Sequence, residues 1–249
     1  MKSFKKAIRK IYHKIMVLCH LESKENVELS FWRNEIKAYM KWYSGELTSL
    51  YSESNPTEKD KIHTQSLKDS AILTWHKMHQ ETKYLDDLML DRKAFADMKV
   101  LDIGSGPMPS GTVFGDCDLY CLDPLMAGYI KIGFPIHYYQ NTKFISGPSE
   151  NIPIANHYFD AIISVNAIDH VNDFLKTAEE IRRTLKPGGK LRMHVHYHKK
   201  TATEPLEIND EKMNEAFGWC QNFRKINESK TKRGYALNKK DELYTVWSN

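Results

Sequence analysis

Three histidines at alternate positions are the residues of this sequence best suited to acid–base or metal chemistry. They are His194, His196 and His198. In an extended strand, alternate side chains point to the same face, so the three imidazoles should lie together. Strands inside an α/β sheet are normally apolar on both faces, and a buried imidazole is costly unless it is bonded or functional. Because histidine titrates near neutral pH, the row predicts a functional strand end.

A second polar pair, Asp169 and His170, follows the apolar stretch 159–166. Ligands of open α/β sheets sit beyond the carboxyl ends of the strands, so we expect this pair to lie near the histidine row. Three interpretations stay open. The cluster could bind a divalent metal, which is possible but not favoured, or His194 and its neighbours could bind an anionic acceptor or only support packing. In the third, a general base removes the proton of an acceptor hydroxyl, and its candidates are Asp169, His170, His196 and His198.

A glycine turn follows another short apolar run, residues 100–103. Gly104 and Gly106, on either side of Ser105, allow a sharp turn and a close approach of the backbone to a ligand. Asp102, just before the turn, can accept hydrogen bonds from a cationic ligand group. An ordinary strand and loop would look similar, because a short glycine turn alone is a weak signal.

The next apolar run, residues 119–122, also ends in an acid, Asp123, followed by Pro124. An acid at this strand end is where α/β nucleotide folds hold ribose hydroxyls. Pro109 stands where a dinucleotide fingerprint needs its third glycine, and no Gly-Lys-Ser/Thr follows. The pattern therefore disfavours both NAD and a Walker phosphate loop.

Together with three later stretches, these motifs resemble the class I SAM-dependent methyltransferases. Residues 147–153 are similar to the family's adenine-side loop, 159–166 to its fourth strand, and 185–191 to the turn before its fifth strand. The resemblance covers about residues 95–249 and implies a doubly wound, Rossmann-like α/β sheet of seven strands, with residues 223–226 and 243–247 as its last two strands. The family usually starts a helix near Met108, but two flanking prolines predict a short or irregular one here.

The resemblance also implies S-adenosyl-L-methionine (SAM) as cofactor. His170 matches a histidine that many members carry at this point, which places it near the transferred methyl group. The implied cofactor-binding residues are Asp102, Gly104, Ser105, Gly106, Asp123, Pro124, Ser149, Glu150 and Asn166.

The pattern before the sheet predicts a helical N-terminal extension and active-site cap over residues 1–95, ahead of a SAM-binding domain over residues 96–249. Helices are expected over residues 28–43 and from 56 to about 90, the second with Asn55 as N-cap and Pro56 at its first position. The second helix carries a polar-aromatic patch that could bind substrate as a lid wall, or could consist of core aromatics and solvated polar side chains. The patch comprises Trp75, His76, His79, Gln80, Lys83 and Tyr84.

Residues 1–20 predict a basic amphipathic helix that either packs on the protein body or a partner, or makes peripheral contact with an anionic membrane. The chain has 249 residues and a net charge of +4, and six cations without an acid lie within residues 1–14. Since this basic excess is confined to the tail, we expect no nucleic-acid partner. The four cysteines predict reduced thiols in the cytoplasm, and no run of apolar residues is long enough to span a membrane.

The resemblance implies an enzyme that methylates a small molecule by in-line displacement at the SAM sulfonium. The excess of histidine and aspartate favours a hydroxyl acceptor on a sugar, a glycan precursor or a phosphorylated intermediate, hence a role in polysaccharide biosynthesis. N-methylation of a small amine and a non-catalytic SAM-binding interaction subunit remain as alternatives.

Overall fold

The N-terminal part of the chain is helical in the computed structural model, which describes residues 23–51, 53–201, 204–232, 235–236 and 242–249. Helix α1 spans Lys24–Tyr43 and begins at Ser23, whose hydroxyl accepts a hydrogen bond from the Asn26 amide. A short hairpin of β1 (Ser49–Leu50) and β2 (Glu53–Ser54) follows. Next come α2 (Leu67–Trp75), a π-helical turn (His76–Glu81) and α3 (Thr82–Leu88).

The predicted start of the long second helix at Pro56 is wrong. Helix α2 begins at Leu67, where the Ser66 hydroxyl caps it by accepting from the Asp69 amide at 3.3 Å. The Asn55 side chain instead donates to the carbonyls of Trp42 and Leu47, at 2.5 and 2.6 Å. Its amide therefore ties the hairpin to the end of α1 and caps no helix.

Seven strands form one mixed sheet after these helices. In chain order they are β3 (Lys99–Ile103), β4 (Asp118–Asp123), β5 (Lys143–Ser146), β6 (Phe159–Val165), β7 (Leu185–Tyr197), β8 (Arg224–Ser229) and β11 (Leu243–Ser248). Their spatial order is β5-β4-β3-β6-β7-β11-β8, and β11 is antiparallel to both of its neighbours. A small separate hairpin joins β9 (Thr231–Lys232) and β10 (Tyr235–Ala236). The predicted doubly wound sheet with a terminal antiparallel hairpin is confirmed.

The central strands are apolar because both of their faces are covered. Helix α4 (Met126–Ile132) follows β4, while α5 (Phe174–Thr184) and α6 (Asp210–Phe217) cover the other half of the sheet. Helix α5 is capped by Asp173, whose carboxylate accepts from the Lys176 amide at 2.9 Å. After β3, the predicted short helix is a 3₁₀ turn over Ser110–Phe114.

Helix α1 packs on the first half of the sheet through α4. The Trp32 ring meets Tyr129 and Phe134 edge to face, with ring centroids 6.1 and 5.8 Å apart. Leu29 lies over Gly128, where an added Cβ would come within 2.9 Å of the leucine methyls. This packing brings the beginning of α1 to the carboxyl ends of the parallel strands, so the N-terminal region covers the predicted site.

The basic helix predicted over residues 1–20 lies outside the described residues, and its membrane contact remains a prediction. Among the helices that the structure describes, none combines the length and the apolar character needed to cross a membrane.

Candidate active site

The glycine turn after β3 is held tightly between two neighbouring strand ends. Gly104 has a φ of +70° and Gly106 a φ of +67°, values that favour glycine. The Gly104 amide donates to the Leu122 carbonyl at 2.8 Å. A Cβ on Gly104 would lie 2.2 Å from the Cβ of Ala167, so only glycine fits beneath the chain that leaves β6. The glycine turn and the segment carrying Asp169 and His170 are therefore in direct contact.

Asp102 is a fully buried acid beneath this turn. The Tyr84 hydroxyl donates to its Oδ1 at 2.7 Å, and its Oδ2 has no hydrogen-bond partner within the described part of the chain. Burial raises the pKa of Asp102 to about 7, although the bond from Tyr84 works in the opposite direction. Such a carboxylate is stabilised by any cation that approaches the turn.

Asp123 ends the neighbouring strand β4 and shapes the same turn. Its carboxylate accepts from the amides of Gly106 and Leu125, at 3.0 and 2.8 Å. Burial raises the pKa of this carboxyl to about 6, while the two amide bonds oppose the shift. Each carboxylate oxygen keeps a further lone pair for a ribose hydroxyl. Pro124 follows, exposed, at the mouth of the turn.

Three other predicted cofactor residues fix loops around the strand ends. The Ser149 hydroxyl is 3.0 Å from that of Thr177, and Glu150 accepts from the amides of Asn172 and Asp173 at 2.7 and 3.1 Å. Asn166 has a φ of +54°, and its side-chain oxygen is buried without a hydrogen-bond partner among the described residues. Of the three, the side chain of Asn166 is the one with an uncommitted buried atom for a ligand.

Asp169 and His198 form a buried pair beyond the ends of β6 and β7. The His198 Nε2 is 3.0 Å from Oδ2 of Asp169, and its Nδ1 donates to the Lys199 carbonyl at 2.7 Å. The bond to Asp169 raises the pKa of His198 well above its ordinary value. Burial alone would raise the pKa of Asp169, but the bond from His198 and the charge of His170 lower it. The pair is therefore an imidazolium beside a carboxylate.

His170 lies beside this pair among three carboxylates, and its side chain keeps 33% of its surface exposed. Its Nδ1 is 3.4 Å from Glu28, and its Nε2 is 3.8 Å from Glu204 and 4.0 Å from Asp169. Burial alone would lower the pKa of His170, but the bond to Glu28 and the charges of the other two acids raise it. His170 is the most exposed imidazole of the cluster.

The histidine row lies on one face of β7, as its alternation predicts. Tyr244 of β11 stacks on His194 and on His196, with ring centroids 5.1 and 4.3 Å apart. The rings of His196 and His198 are 4.6 Å apart, and His196 Nε2 is 3.9 Å from Glu242. The row therefore leads from the sheet interior to the Asp169–His198 pair.

Most of the predicted lid wall on α2 and α3 makes bonds within the protein. Trp75 and Tyr84 are buried, and Gln80 is half-buried. His79 and Lys83 both contact Glu53 of the hairpin, at 3.0 and 2.6 Å. This placement favours the interpretation of the two aromatics as core residues.

His76, in the π-helical turn, is also buried within this patch. Its Nδ1 is 2.7 Å from the Tyr139 hydroxyl and its Nε2 is 3.4 Å from that of Ser110. Burial lowers the pKa of His76 to about 3, so the ring is neutral. His76 thus connects the helices before the sheet to the segment just after the glycine turn.

Two acids of the cluster, Glu28 and Glu204, were missed by the sequence analysis. Glu28 belongs to α1, 142 residues before His170, and Glu204 follows the end of β7. Neither has a local motif, and only the packing of α1 across the strand ends brings Glu28 into the site.

The described fold, with a glycine turn and acids at the ends of β3 and β4, has a counterpart among known proteins. Residues 101–193 match the methyltransferase domain family. Over residues 101–193 the chain has a class I, Rossmann-like methyltransferase domain. The family implies SAM as the cofactor. The glycine turn with Asp102 and Asp123 remains the predicted site for it.

Among curated proteins, the methyltransferase domain is 32% identical over 100 residues to a demethylmenaquinone methyltransferase of Renibacterium salmoninarum. The match covers 39% of this chain and 41% of that protein, so it spans about two fifths of the relative.

Two solved structures show the same fold at low sequence identity. The YcgJ protein of Bacillus subtilis superimposes with a TM-score of 0.52 and 20% identity, over 61% of this chain and 72% of its own. The CurJ carbon methyltransferase gives a TM-score of 0.51 and 14% identity, over 94% of this chain and 62% of its own. The second likeness includes the helices that precede the sheet.

Proposed function

We propose that this protein is an enzyme that transfers a methyl group from SAM to a hydroxyl of a small molecule. The observation that carries the proposal is the contact between the glycine turn and the segment of the acid–histidine cluster. Gly104 lies against Ala167, two residues before Asp169 and three before His170. A methyl group presented at this turn is therefore within reach of a base at the same strand end.

Asp102 and Asp123 supply the recognition of the cofactor. Asp102 keeps one buried carboxylate oxygen without a partner among the described residues, and its charge complements the positive charge of SAM. Asp123 is oriented by two backbone amides and accepts the ribose hydroxyls. Because the sulfonium is already a good leaving group, alignment and exclusion of water are the main tasks of the protein.

His170 accepts the proton of the acceptor hydroxyl. His198 is a poor base, since both of its ring nitrogens are engaged and its side chain is buried, whereas the His170 side chain keeps 33% of its surface exposed. The Asp169–His198 pair acts instead as a positioning unit behind His170. Loss of a general base lowers turnover by about a hundredfold or more.

The charges around His170 favour a neutral acceptor. The carboxylates of Glu28, Asp169 and Glu204 surround it, while the described cations at this place are Lys24, which donates to the His170 carbonyl, and His198. An anionic substrate would meet repulsion here. A neutral polyhydroxylated acceptor, such as a sugar or glycan precursor, fits this lining better than a phosphorylated one.

A second candidate is methylation of a ring carbon beside a hydroxyl. The curated relative is named a demethylmenaquinone methyltransferase, and this chain shares 32% identity with it over 100 residues. A phenolic hydroxyl that loses its proton activates the neighbouring carbon, so the same base serves both reactions.

The test compares two histidine variants on the same preparations. Transfer of a labelled methyl group from SAM to sugar, quinol and amine acceptors is measured for the wild type, His170→Asn and the control His63→Asn. His63 is an exposed histidine that also faces a glutamate, Glu58, at 3.6 Å. We expect His170→Asn to lose about a hundredfold in turnover while SAM affinity stays within about twofold, and the control to be unchanged.

Three outcomes would contradict this proposal. Full turnover by His170→Asn would remove His170 from the mechanism. Transfer to amines alone would favour N-methylation, where no hydroxyl proton has to be removed. Tight SAM binding without transfer to any acceptor class would support the non-catalytic binding subunit.

A further inference from the structure

We propose that Asp169, His196, His198 and Glu204 bind one divalent transition-metal ion. Each of these residues offers one ligand atom, and the four atoms lie within 4.8 Å of one another. They come from the turn after β6, from the end of β7 and from the segment after it. Metal–ligand bonds of about 2.0–2.2 Å would need only small side-chain movements to close this set around an ion.

Asp169 provides an observation that does not depend on the distances between the four residues. Its side chain is completely buried, and while Oδ2 is bonded to His198, Oδ1 has no hydrogen-bond partner among the described residues. A buried carboxylate oxygen without a partner is costly and rare in native proteins. An ion at this position would satisfy that oxygen.

The surroundings of His198 match those of a metal ligand. A coordinating histidine usually donates its second ring N–H to a carbonyl or carboxylate, which fixes the ring orientation. His198 donates from Nδ1 to the Lys199 carbonyl at 2.7 Å, and this bond directs Nε2 towards Asp169. A bound ion would replace the Nε2 proton that His198 otherwise shares with Asp169, since a ligating imidazole is neutral. The Glu204 carboxylate is likewise held, since its Oε2 accepts from the Thr201 hydroxyl at 2.8 Å.

The donor types select the class of ion. Two imidazoles and two carboxylates form a mixed nitrogen and oxygen set, which suits zinc, cobalt, manganese or iron. Magnesium and calcium prefer oxygen ligands alone, so they should bind poorly. The two carboxylates would balance the charge of a divalent ion without a further anion.

The consequence for catalysis rests on the proposed function. Such an ion would lie beside His170, which is 3.8 Å from Glu204 and 4.0 Å from Asp169 but is not one of the four ligands. A bound metal lowers the pKa of a coordinated hydroxyl. His170 would then take the proton from an acceptor oxygen that the ion already polarises.

The experiment measures metal binding alone, without SAM or acceptor. The full-length chain is treated with EDTA, dialysed, and titrated with Co²⁺ by calorimetry and visible absorption, with Mg²⁺ as the comparison ion. We expect one Co²⁺ per chain with ligand-field absorption, and no comparable binding of Mg²⁺. His196→Gln and Glu204→Gln should each weaken Co²⁺ binding by about tenfold or more.

Matched controls show whether the four residues act as a set. His63→Gln and Glu58→Gln alter an exposed histidine–glutamate pair of similar spacing, 3.6 Å, and should leave Co²⁺ binding unchanged. Circular dichroism and SAM titration of each variant report whether it is folded. Absence of saturable Co²⁺ binding would overturn the metal site, and so would equal binding by the wild type and by folded His196→Gln and Glu204→Gln.

The two proposals fail in different ways. If the wild type shows no saturable Co²⁺ binding but transfers methyl groups, the metal site is wrong and the proposed function stands. If Co²⁺ binds as expected but no acceptor is methylated, the site is real and the proposed function is wrong.

Discussion

The buried carboxylates in the two halves of the site have pKa values shifted in opposite directions. The cofactor half comprises the glycine turn with Asp102 and Asp123, and the acceptor half comprises Asp169, His170 and His198. On the cofactor side, Asp102 and Asp123 are buried with neutral donors around them, and burial raises their pKa values to about 7 and about 6. On the acceptor side, Asp169 is as deeply buried as Asp102, yet its pKa is lowered below the ordinary range. The difference lies in the partner, because Tyr84 offers Asp102 a neutral hydroxyl whereas His198 offers Asp169 a charged ring.

This contrast indicates which half of the site lacks a positive charge beside its buried acids. The cofactor side lacks a positive charge, and SAM carries positive charges on its sulfonium and its ammonium. On the acceptor side of the metal-free protein, Asp169 is already paired with the charged ring of His198, and this pair is suited to orienting His170. Substitutions of the three acids should therefore have effects of different sign and size.

The largest expected effect on stability comes from Asp169→Asn. Removing one partner of a buried ion pair leaves the other charge unpaired, which costs about 3–5 kcal/mol in the free energy of unfolding. Urea unfolding followed by circular dichroism at neutral pH measures this loss. A loss below about 1 kcal/mol would mean that His198 is neutral, and that the two halves do not differ as described.

Asp102→Asn should change stability in the opposite direction. The pKa of Asp102 is about 7 in the folded protein, above the usual value of an unfolded aspartate, so the group destabilises the fold increasingly as pH rises from about 4 to 7. Asparagine keeps an acceptor for Tyr84 and removes this penalty. Since one pKa unit corresponds to about 1.4 kcal/mol, the variant should gain up to a few kcal/mol at pH 8 and almost nothing at pH 4. A loss of stability at pH 8 would contradict the raised pKa.

The strands and the glycine turn of the cofactor half can be predicted from the sequence because their signals are local. Each strand of that half is a short apolar run with an acid at or next to its last residue. The positive φ angles at Gly104 and Gly106 are ones that glycine readily adopts. The acceptor half depends on contacts between distant segments. The row His194, His196 and His198 is visible as alternation, but the acids of α1 and of the segment after β7 reach it only through tertiary packing.

The start of α2 shows the same limit on a smaller scale. Asn55 and Pro56 form a good local start signal, but the Asn55 amide makes two bonds to the end of α1 that no local pattern contains. The helix therefore begins where Ser66 provides the next cap. The interior of the helical segment is equally hidden from sequence, since the π-helical turn at His76–Glu81 has no signature of its own.

A smaller effect is expected for ribose recognition. Asp123→Ala removes charge-assisted hydrogen bonds and should weaken SAM binding by about 1.5–3 kcal/mol, roughly ten- to a hundredfold. The control Asp118→Ala alters an acid at the other end of the same strand and should leave SAM affinity unchanged. Equal affinities of the wild type and Asp123→Ala in titration calorimetry would place the ribose elsewhere.

The smallest effect is expected for Tyr84→Phe. The Tyr84 hydroxyl donates to Asp102 and thereby limits the rise of its pKa, so its removal should raise that pKa further. If SAM prefers ionised Asp102, the pH at which binding strengthens should move upward by less than about one unit. Titrations with SAM across the neutral range detect such a shift, and a downward shift would show that the bond has the opposite effect.

The account is tested most directly by SAM binding at pH 6 and pH 8 to three proteins: the wild type, Asp102→Asn and His170→Asn. With a pKa of about 7 for Asp102, wild-type affinity should rise by up to about tenfold between the two pH values. Asp102→Asn should bind SAM at least about tenfold more weakly at pH 8 and lose the pH dependence. His170→Asn should match the wild type within about twofold at both values. Equal SAM affinity of Asp102→Asn and wild type at pH 8 would contradict this account, and so would a larger loss of affinity in His170→Asn than in Asp102→Asn. Either result would mean that the site is not divided into a cofactor half that lacks a positive charge and an acceptor half whose buried acid is already paired.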